Sequence, residues 1–174
     1  MIEVVAVGEG VEPDRLDALA AKLARIFRIS CRVRNGVLDV KFSCDAARGQ
    51  YHSTAILERL VSVNGPRGRL LGVTAVDLFV PIFTFVFGEA QVGGNCALAS
   101  FYRLSEEHYG LPPDEAKLRE RLVKEAVHEL GHTFGLLHCD DWRCVMASSH
   151  SVERVDVKSA EFCAECRRAV LSRQ

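Results

Sequence analysis

The sequence has no surplus of charge of either sign. Its 22 lysine and arginine residues are balanced by 23 aspartate and glutamate residues, which leaves a formal net charge of −1. Because basic residues are not in excess, the overall charge does not favour binding to a nucleic acid or to an anionic membrane. Internal repeats and low-complexity linkers are missing too. A chain of 174 residues, 48% of them hydrophobic, is long enough to bury a core, so we predict one domain.

The sequence also lacks a charge-free apolar run of membrane-spanning length. The most apolar stretch, residues 70–88, contains Asp77 and Pro81 near its middle, and a charge at the centre of a spanning helix is costly. Two buried strands in succession are the better interpretation. The opening residues Met1-Ile2-Glu3 have neither the basic region nor the cleavage site of a secretory signal. We therefore expect no signal peptide, and no pro-segment before the first strand.

Cysteine is present in an odd number, seven, so at least one cannot pair within the chain. Cys31, Cys44 and Cys96 stand singly and are predicted to be buried free thiols. Unpaired thiols are typical of a reducing compartment, and we predict a cytoplasmic location.

Strand and helix patterns alternate along the first two-thirds of the chain. Short apolar runs bounded by turn residues predict strands at 2–7, 31–34, 37–42, 70–76, 83–92 and 96–104. Apolar residues three or four apart predict helices that begin at Pro13, at Ser53 or Thr54, and after Pro112. The runs on either side of Asn35-Gly36 are either a hairpin or one strand with a bulge. The alternation predicts an α/β (α+β) fold with a mostly parallel sheet.

The third helix should run to about Phe134 and stop at Gly135, and it carries His128-Glu129-Leu130-Gly131-His132. Residues four apart share a helix face, so His128 and His132 can bind one zinc ion. Glu129 can reach a water at that ion without being a ligand. Glycine at position 135 allows the positive-φ exit that brings His138 back as a third ligand. Three protein ligands leave one zinc position open, which is typical of a catalytic site.

Four cysteines follow at metal-binding spacing. Cys139 and Cys144 form one close pair and Cys163 and Cys166 a second, which predicts a four-thiolate zinc site with a structural role. A redox-active Cys163-x-x-Cys166 and one or two disulfides are the alternatives. The remaining histidines, His52, His108 and His150, belong to no such pattern and are interpreted as ordinary residues, with a place near the cleft left open for His150 alone.

The histidine string followed by Met146 resembles the metzincin clan of zinc endopeptidases, and the cysteines narrow the resemblance to the archaemetzincins. The motifs that carry it span Glu125 to about Arg167. The resemblance implies a metzincin-like twisted mixed sheet with an antiparallel edge strand, a backing helix, a long active-site helix and a C-terminal zinc-stapled segment. Residues 1–134 and 135–174 would form the two parts of a single catalytic domain.

The resemblance also implies roles for individual residues. His128, His132 and His138 would hold a catalytic zinc, Glu129 would be the catalytic base, and Cys139, Cys144, Cys163 and Cys166 would hold a second, structural zinc. Met146 would lie in a tight turn beneath the catalytic metal. Some metzincins have a tyrosine two residues after this methionine, whereas this chain has Ser148.

These expectations predict a zinc-dependent metallopeptidase that acts on a peptide or protein substrate as a monomer. A substrate strand is expected to lie along residues 85–92, with Phe85, Phe87 and Gly88 at the rim of the cleft. The alternatives are a zinc hydrolase of non-peptide amides or esters, and a catalytically silent zinc-binding interaction module.

Overall fold

The computed structural model describes residues 1–173, and Gln174, the last residue of the predicted domain, lies outside them. Helices and strands alternate as predicted. The strands are β1 (Ile2–Val7), β2 (Cys31–Leu38), β3 (Cys44–Asp45), β4 (Gln50–His52), β5 (Arg69–Thr74), β6 (Leu78–Phe79), β7 (Gly88–Ala90) and β8 (Cys96–Ser100). The helices are α1 (Pro13–Phe27), α2 (Ser53–Asn64), α3 (Glu115–Thr133), α4 (Val152–Val157) and α5 (Ala164–Leu171).

A five-stranded sheet in the order β2-β1-β5-β8-β7 organises the molecule. Its first four strands are mutually parallel, and β7 pairs antiparallel to β8 at the edge. A smaller sheet in the order β3-β4-β6 lies beside it. This arrangement confirms the predicted mixed α/β fold with an antiparallel edge strand.

Both faces of the large sheet are covered, because alternate residues of a strand point to opposite faces. Ile2, Val4 and Ala6 of β1 pack into the core that contains α1 and α3. Val5 and Val7 pack into the second core, which contains α2. None of the helices within residues 1–173 combines the length and the apolar character that a membrane crossing requires.

Several predicted elements differ in their bounds. Residues 31–38 form one strand rather than a hairpin, and its pairing with β1 shifts register where Gly36 adopts a φ of 104°. The predicted strand 83–92 is reduced to Gly88–Ala90, because a turn closes between Phe83 and Val80 just before it. The predicted strand 96–104 ends at Ser100, whose hydroxyl accepts the backbone N–H of Tyr102 and starts a turn. Within the stretch 70–88, the two-residue strand β6 was not predicted.

Candidate metal centre

The long helix α3 brings the first two histidines to one face. Its first turn is capped by the Asp114 side chain, which accepts the backbone N–H of Lys117 at 3.0 Å. Leu122, Ala126 and Leu130 are buried in the core beneath the sheet. The helix ends at Thr133, and Gly135 then takes a φ of 76°. This left-handed residue turns the chain so that His138 returns towards His128 and His132, as predicted.

The three histidines form a cluster whose ligand nitrogens all lie within 4.8 Å of one another. His128 is buried, His132 is half-buried and His138 is exposed. The Nε2 atoms of His128 and His132 are 3.2 Å apart. Two nitrogens on a tetrahedral zinc ion, at Zn–N distances of about 2.0–2.1 Å, lie about 3.3 Å from each other. The spacing therefore fits a shared metal ion.

Hydrogen bonds from Nδ1 fix the tautomers of His128 and His132. Nδ1 of His128 lies 2.8 Å from the carbonyl oxygen of Val145, and Nδ1 of His132 lies 2.8 Å from that of Leu136. A carbonyl only accepts, so both Nδ1 atoms carry the proton and both Nε2 atoms present lone pairs. Two lone pairs that face each other repel unless a cation lies between them. This donor set therefore suits a metal ion, and the outer hydrogen bonds that orient ligand histidines are in place.

Glu129 lies beside this cluster in a buried position, with 6% of its surface exposed. Its side chain packs against Gly88 of the edge strand, where an added Cβ would come within 2.6 Å of the Glu129 Cγ. Burial raises the pKa of the Glu129 carboxyl well above its ordinary value of 4.5, and the neighbouring Glu125 raises it further. A carboxyl group with a raised pKa is suited to accept and return a proton near neutral pH.

A cleft of about 310 Å³ opens in front of these residues. One wall is formed by residues 83–88, which include the predicted rim residues Phe85, Phe87 and Gly88. The other wall contains Glu125, His128, Glu129, His138, Ser148, Ser149 and His150. Of the three histidines interpreted as ordinary residues, His150 therefore lies in the cleft wall, the possibility that the sequence left open for it alone. A larger groove of about 530 Å³ lies between α1 and α3 and contains none of the predicted site residues.

Met146 lies beneath the cluster in a tight turn, and it is fully buried. The backbone N–H of Ala147 donates to the carbonyl of Cys144 at 2.9 Å and closes the turn. Gly131 faces the sulfur of Met146 so closely that a Cβ there would collide with it. Glycine between the two helix histidines is therefore required by the packing of the methionine.

The four cysteines at metal-binding spacing form a second cluster, and their sulfurs all lie within 4.8 Å of one another. The Sγ atoms of Cys139 and Cys163 are 3.9 Å apart. Sulfurs on a tetrahedral zinc ion, at Zn–S distances of about 2.3 Å, lie about 3.8 Å apart, whereas a disulfide requires about 2.05 Å. Burial raises the pKa values of Cys139 and Cys166, while the backbone N–H of Cys166 lowers the pKa of Cys163. Buried thiols with raised pKa values become thiolates when a cation binds them.

The three single cysteines are free thiols, but they are not all buried. Cys96 is buried and Cys31 is half-buried, and burial raises the pKa of each to about 11. Cys44 is exposed, so the prediction that it is buried is wrong. It lies on the two-residue strand β3, which is an edge strand of the small sheet.

Two charged residues at the site have no counterpart in the sequence prediction. Glu125 and Lys158 are both buried, and the Lys158 Nζ lies 3.0 Å from Oε1 of Glu125. They are 33 positions apart in the chain, so no local spacing links them. Glu125 had one available signal, since it precedes His128 by three residues and must share its helix face.

Comparison with known proteins agrees with this arrangement. The profile of Peptidase family M54 matches residues 29–172. The archaemetzincin of Methanocaldococcus jannaschii is 39% identical over 163 residues, which cover 94% of this chain and 89% of that protein. The archaemetzincin of Pyrococcus furiosus is 39% identical over 99% of this chain and 93% of its own length.

Solved structures lead to the same family. The crystal structure of archaemetzincin from Archaeoglobus fulgidus, complexed with malonate, superposes with a TM-score of 0.83 at 39% identity and covers 97% of this chain and 99% of its own. The archaemetzincin structure from Methanopyrus kandleri gives a TM-score of 0.85 at 35% identity, over 99% of this chain and 94% of that chain. With its fold, its histidine cluster and these relatives in agreement, this chain belongs to peptidase family M54, the archaemetzincins, which are zinc metallopeptidases and hence hydrolases.

Proposed function

We propose that this chain hydrolyses peptide bonds in the cleft between the edge strand β7 and helix α3, with Glu129 as the general base. The observation that carries the proposal is the pair of Nε2 atoms of His128 and His132, 3.2 Å apart with both Nδ1 protons already committed to backbone carbonyls. When bound there, a zinc ion supplies Lewis acidity that lowers the pKa of a water and polarises a carbonyl group.

The residues of the chain supply the proton transfers. Glu129 takes a proton from water as the water oxygen adds to the carbonyl carbon of the substrate. The same carboxyl group then delivers the proton to the amide nitrogen as the C–N bond breaks, so that an amine leaves. Its burial against Gly88 limits the rotamers of Glu129 and keeps bulk water from competing for the proton.

The edge strand suits an extended peptide. β7 pairs with β8 on one side, which leaves its other edge with unpaired backbone groups that an added strand can bond. Phe85 and Phe87 contact each other with their ring centroids 5.2 Å apart and provide an apolar wall for substrate side chains. The substrate is therefore a peptide or protein that binds in an extended conformation.

We further propose that the chain holds two zinc ions, a catalytic one at His128, His132 and His138 and a structural one at Cys139, Cys144, Cys163 and Cys166. The two parts, 1–134 and 135–174, would form a single catalytic domain. The contact of Arg167 with the carbonyl of Ile26 and the burial of Val170 in the α1–α3 core support this. Monomeric state, cytoplasmic location and the absence of nucleic-acid and membrane partners stay predictions.

Elemental analysis of wild type and a His128→Ala/His132→Ala variant tests the metal sites. Two zinc ions per chain should fall to one in the variant. One zinc ion that is unaffected by the histidine changes would contradict the proposal and favour the interaction module.

A Glu129→Gln variant tests the chemistry. It should keep wild-type zinc content and lose peptidase activity, by about 10²-fold or more, because the general base is gone. Comparable turnover in the zinc-loaded variant would exclude Glu129 as the base. A parallel library of ester and non-peptide amide substrates decides between peptide hydrolysis and the non-peptide alternative.

A further inference from the structure

Lys158 is a buried cation that the proposed chemistry does not use. Its side chain is 1% exposed, and its Nζ lies 3.0 Å from Oε1 of Glu125 and 3.4 Å from the carbonyl oxygen of Ala147. Burying an ammonium group costs several kcal/mol unless it is well paired, and apolar residues often fill such a position at less cost. Packing alone therefore does not account for a lysine here.

The partner of Lys158 lies on the catalytic face of α3. Glu125 precedes His128 by three residues and Glu129 by four, so the three side chains share one stripe of the helix. Glu125 lines the cleft together with His128, Glu129 and His138. The approach of Lys158 to Oε1 is an ion pair without hydrogen-bond alignment, and no group within residues 1–173 donates a hydrogen bond to that oxygen. Within these residues, the charge of Lys158 is what restrains Oε1.

A carboxylate in this place is a potential competitor at the metal. Zinc is bound by aspartate and glutamate oxygens as well as by histidine nitrogens. A glutamate that reached the open position of the three-histidine cluster would displace the water that hydrolysis consumes. The position of the Glu125 carboxylate therefore matters to catalysis even though Glu125 has no assigned step.

We propose that Lys158 is a positioning residue that holds the Glu125 carboxylate against the turn at Ala147 and away from the open side of the histidine cluster. The inference rests on the proposed catalytic role of that cluster. The ammonium group is itself held in place independently of Glu125, because Asp156 anchors the end of α4 to α3. Arg121 bonds the Asp156 carboxylate at 2.6 and 2.7 Å, and Lys124 bonds its backbone carbonyl at 3.0 Å.

The test replaces Lys158 with methionine and reads the metal environment directly. Each protein is loaded with Co²⁺, and its visible absorption is recorded. In Lys158→Met, the freed Glu125 should join the metal, so the intense four-coordinate absorption of wild type weakens. The value of kcat should fall about tenfold or more, as for other changes next to metal ligands, with KM changed by less than about threefold. The Glu125→Gln/Lys158→Met double variant removes the competing carboxylate and should recover both the spectrum and kcat.

A matched control is Arg34→Met, which removes a half-buried cation of β2 that pairs with the buried Glu3 of β1, at the end of the large sheet away from β7. It should lower the melting temperature and leave the cobalt spectrum unchanged. If Lys158→Met yields no folded protein, Lys158→Gln carries the same test, since its amide has a shorter reach and no charge.

The outcomes separate this inference from the proposed function. A cobalt spectrum of Lys158→Met identical to that of wild type would overturn the positioning role, whatever the activity. A double variant as slow as the single one would also overturn it, because the defect would then not pass through Glu125. If wild type cleaves no peptide at all, the proposed function fails, while the spectra still decide where Glu125 lies.

Discussion

The imidazole of His128 donates its Nδ1 proton to the carbonyl oxygen of Val145 at 2.8 Å. Val145 lies between Cys144, a member of the cysteine cluster, and Met146, which packs beneath the histidines. The backbone N–H of Cys139, the residue after His138, donates to the carbonyl of Met146 at 3.0 Å. One short turn therefore orients His128 of the histidine cluster and supplies Cys144 to the cysteine cluster, so a change in one cluster can move the other.

This link predicts that damage to the cysteine cluster reaches the histidine cluster. A Cys163→Ser variant should lose the structural zinc, and the turn at Val145 should then loosen because Cys144 is no longer held. The affinity of the histidine cluster for zinc should fall about tenfold or more, as expected when an outer hydrogen bond to a ligand is disturbed. Elemental analysis after dialysis against a weak chelator measures the occupancy, and calorimetry measures the melting temperature.

The control for this experiment is Cys44→Ser, because Cys44 is exposed and lies outside both clusters. Its zinc content and melting temperature should equal those of wild type. Unchanged occupancy and melting temperature in Cys163→Ser would count against both the four-cysteine site and its link to His128.

Gly131 provides a second prediction, in which two effects have opposite signs. In an exposed helix, Gly→Ala stabilises by about 1 kcal/mol. Here an added Cβ would collide with the Met146 sulfur and come within 3.3 Å of the Phe162 ring. Overpacking of this kind costs about 1–3 kcal/mol, so Gly131→Ala should lower the free energy of unfolding, measured by urea denaturation of the zinc-loaded protein.

The double variant Gly131→Ala/Met146→Ala isolates the contact. Met146→Ala alone leaves a cavity and should cost about 2–5 kcal/mol. If the collision with the sulfur is the reason for glycine, the double variant should cost less than the sum of the two single changes. Additive costs, or a more stable Gly131→Ala protein, would show that the helix backbone alone sets the preference.

The histidine cluster was predictable because its geometry is local. The four-residue helical spacing sets His128 and His132 on one face. The positive φ at residue 135 was predictable because the sequence has glycine there, the residue that adopts this conformation most easily. The presence of an edge strand was predictable, but its length was not. Residues 83–87 are as apolar as a strand, yet their backbone turns at Phe83 and lines the cleft instead.

What the sequence did not reveal depends on contacts between distant residues. The pairing of Lys158 with Glu125 requires α4 to pack on α3, which no periodicity encodes. The choice between a hairpin and a single strand at Asn35-Gly36 is decided by the parallel pairing of β2 with β1, 29 positions away. The exposure of Cys44 follows from its place at the edge of the small sheet, and short strands carry no reliable signal of which side is covered.

A last prediction concerns the metal-free protein in acid. Burial lowers the pKa of His128 well below its ordinary value of 6.5 and also lowers the pKa of His132. Below pH 6.5 the unfolded chain therefore binds more protons than the folded one, and the free energy of unfolding falls as the pH decreases through the folded pKa values. If the pKa of a histidine is lower by one in the folded state than in the unfolded chain, the free energy of unfolding changes by about 1.4 kcal/mol. Chelator-stripped protein, unfolded in urea between pH 7.5 and 5, measures this loss.

Glu129 acts in the opposite direction and supplies the control. Because burial raises its pKa above 4.5, the folded state holds a proton there that the unfolded chain has lost, so acidification favours folding at this group. Stripped Glu129→Gln protein should therefore lose stability more steeply in acid than stripped wild type. Adding His128→Gln to that variant should flatten the profile. A slope that His128→Gln leaves unchanged would mean that protonation of His128 does not cause the loss of stability in acid, which would leave the half-buried His132 as the group responsible.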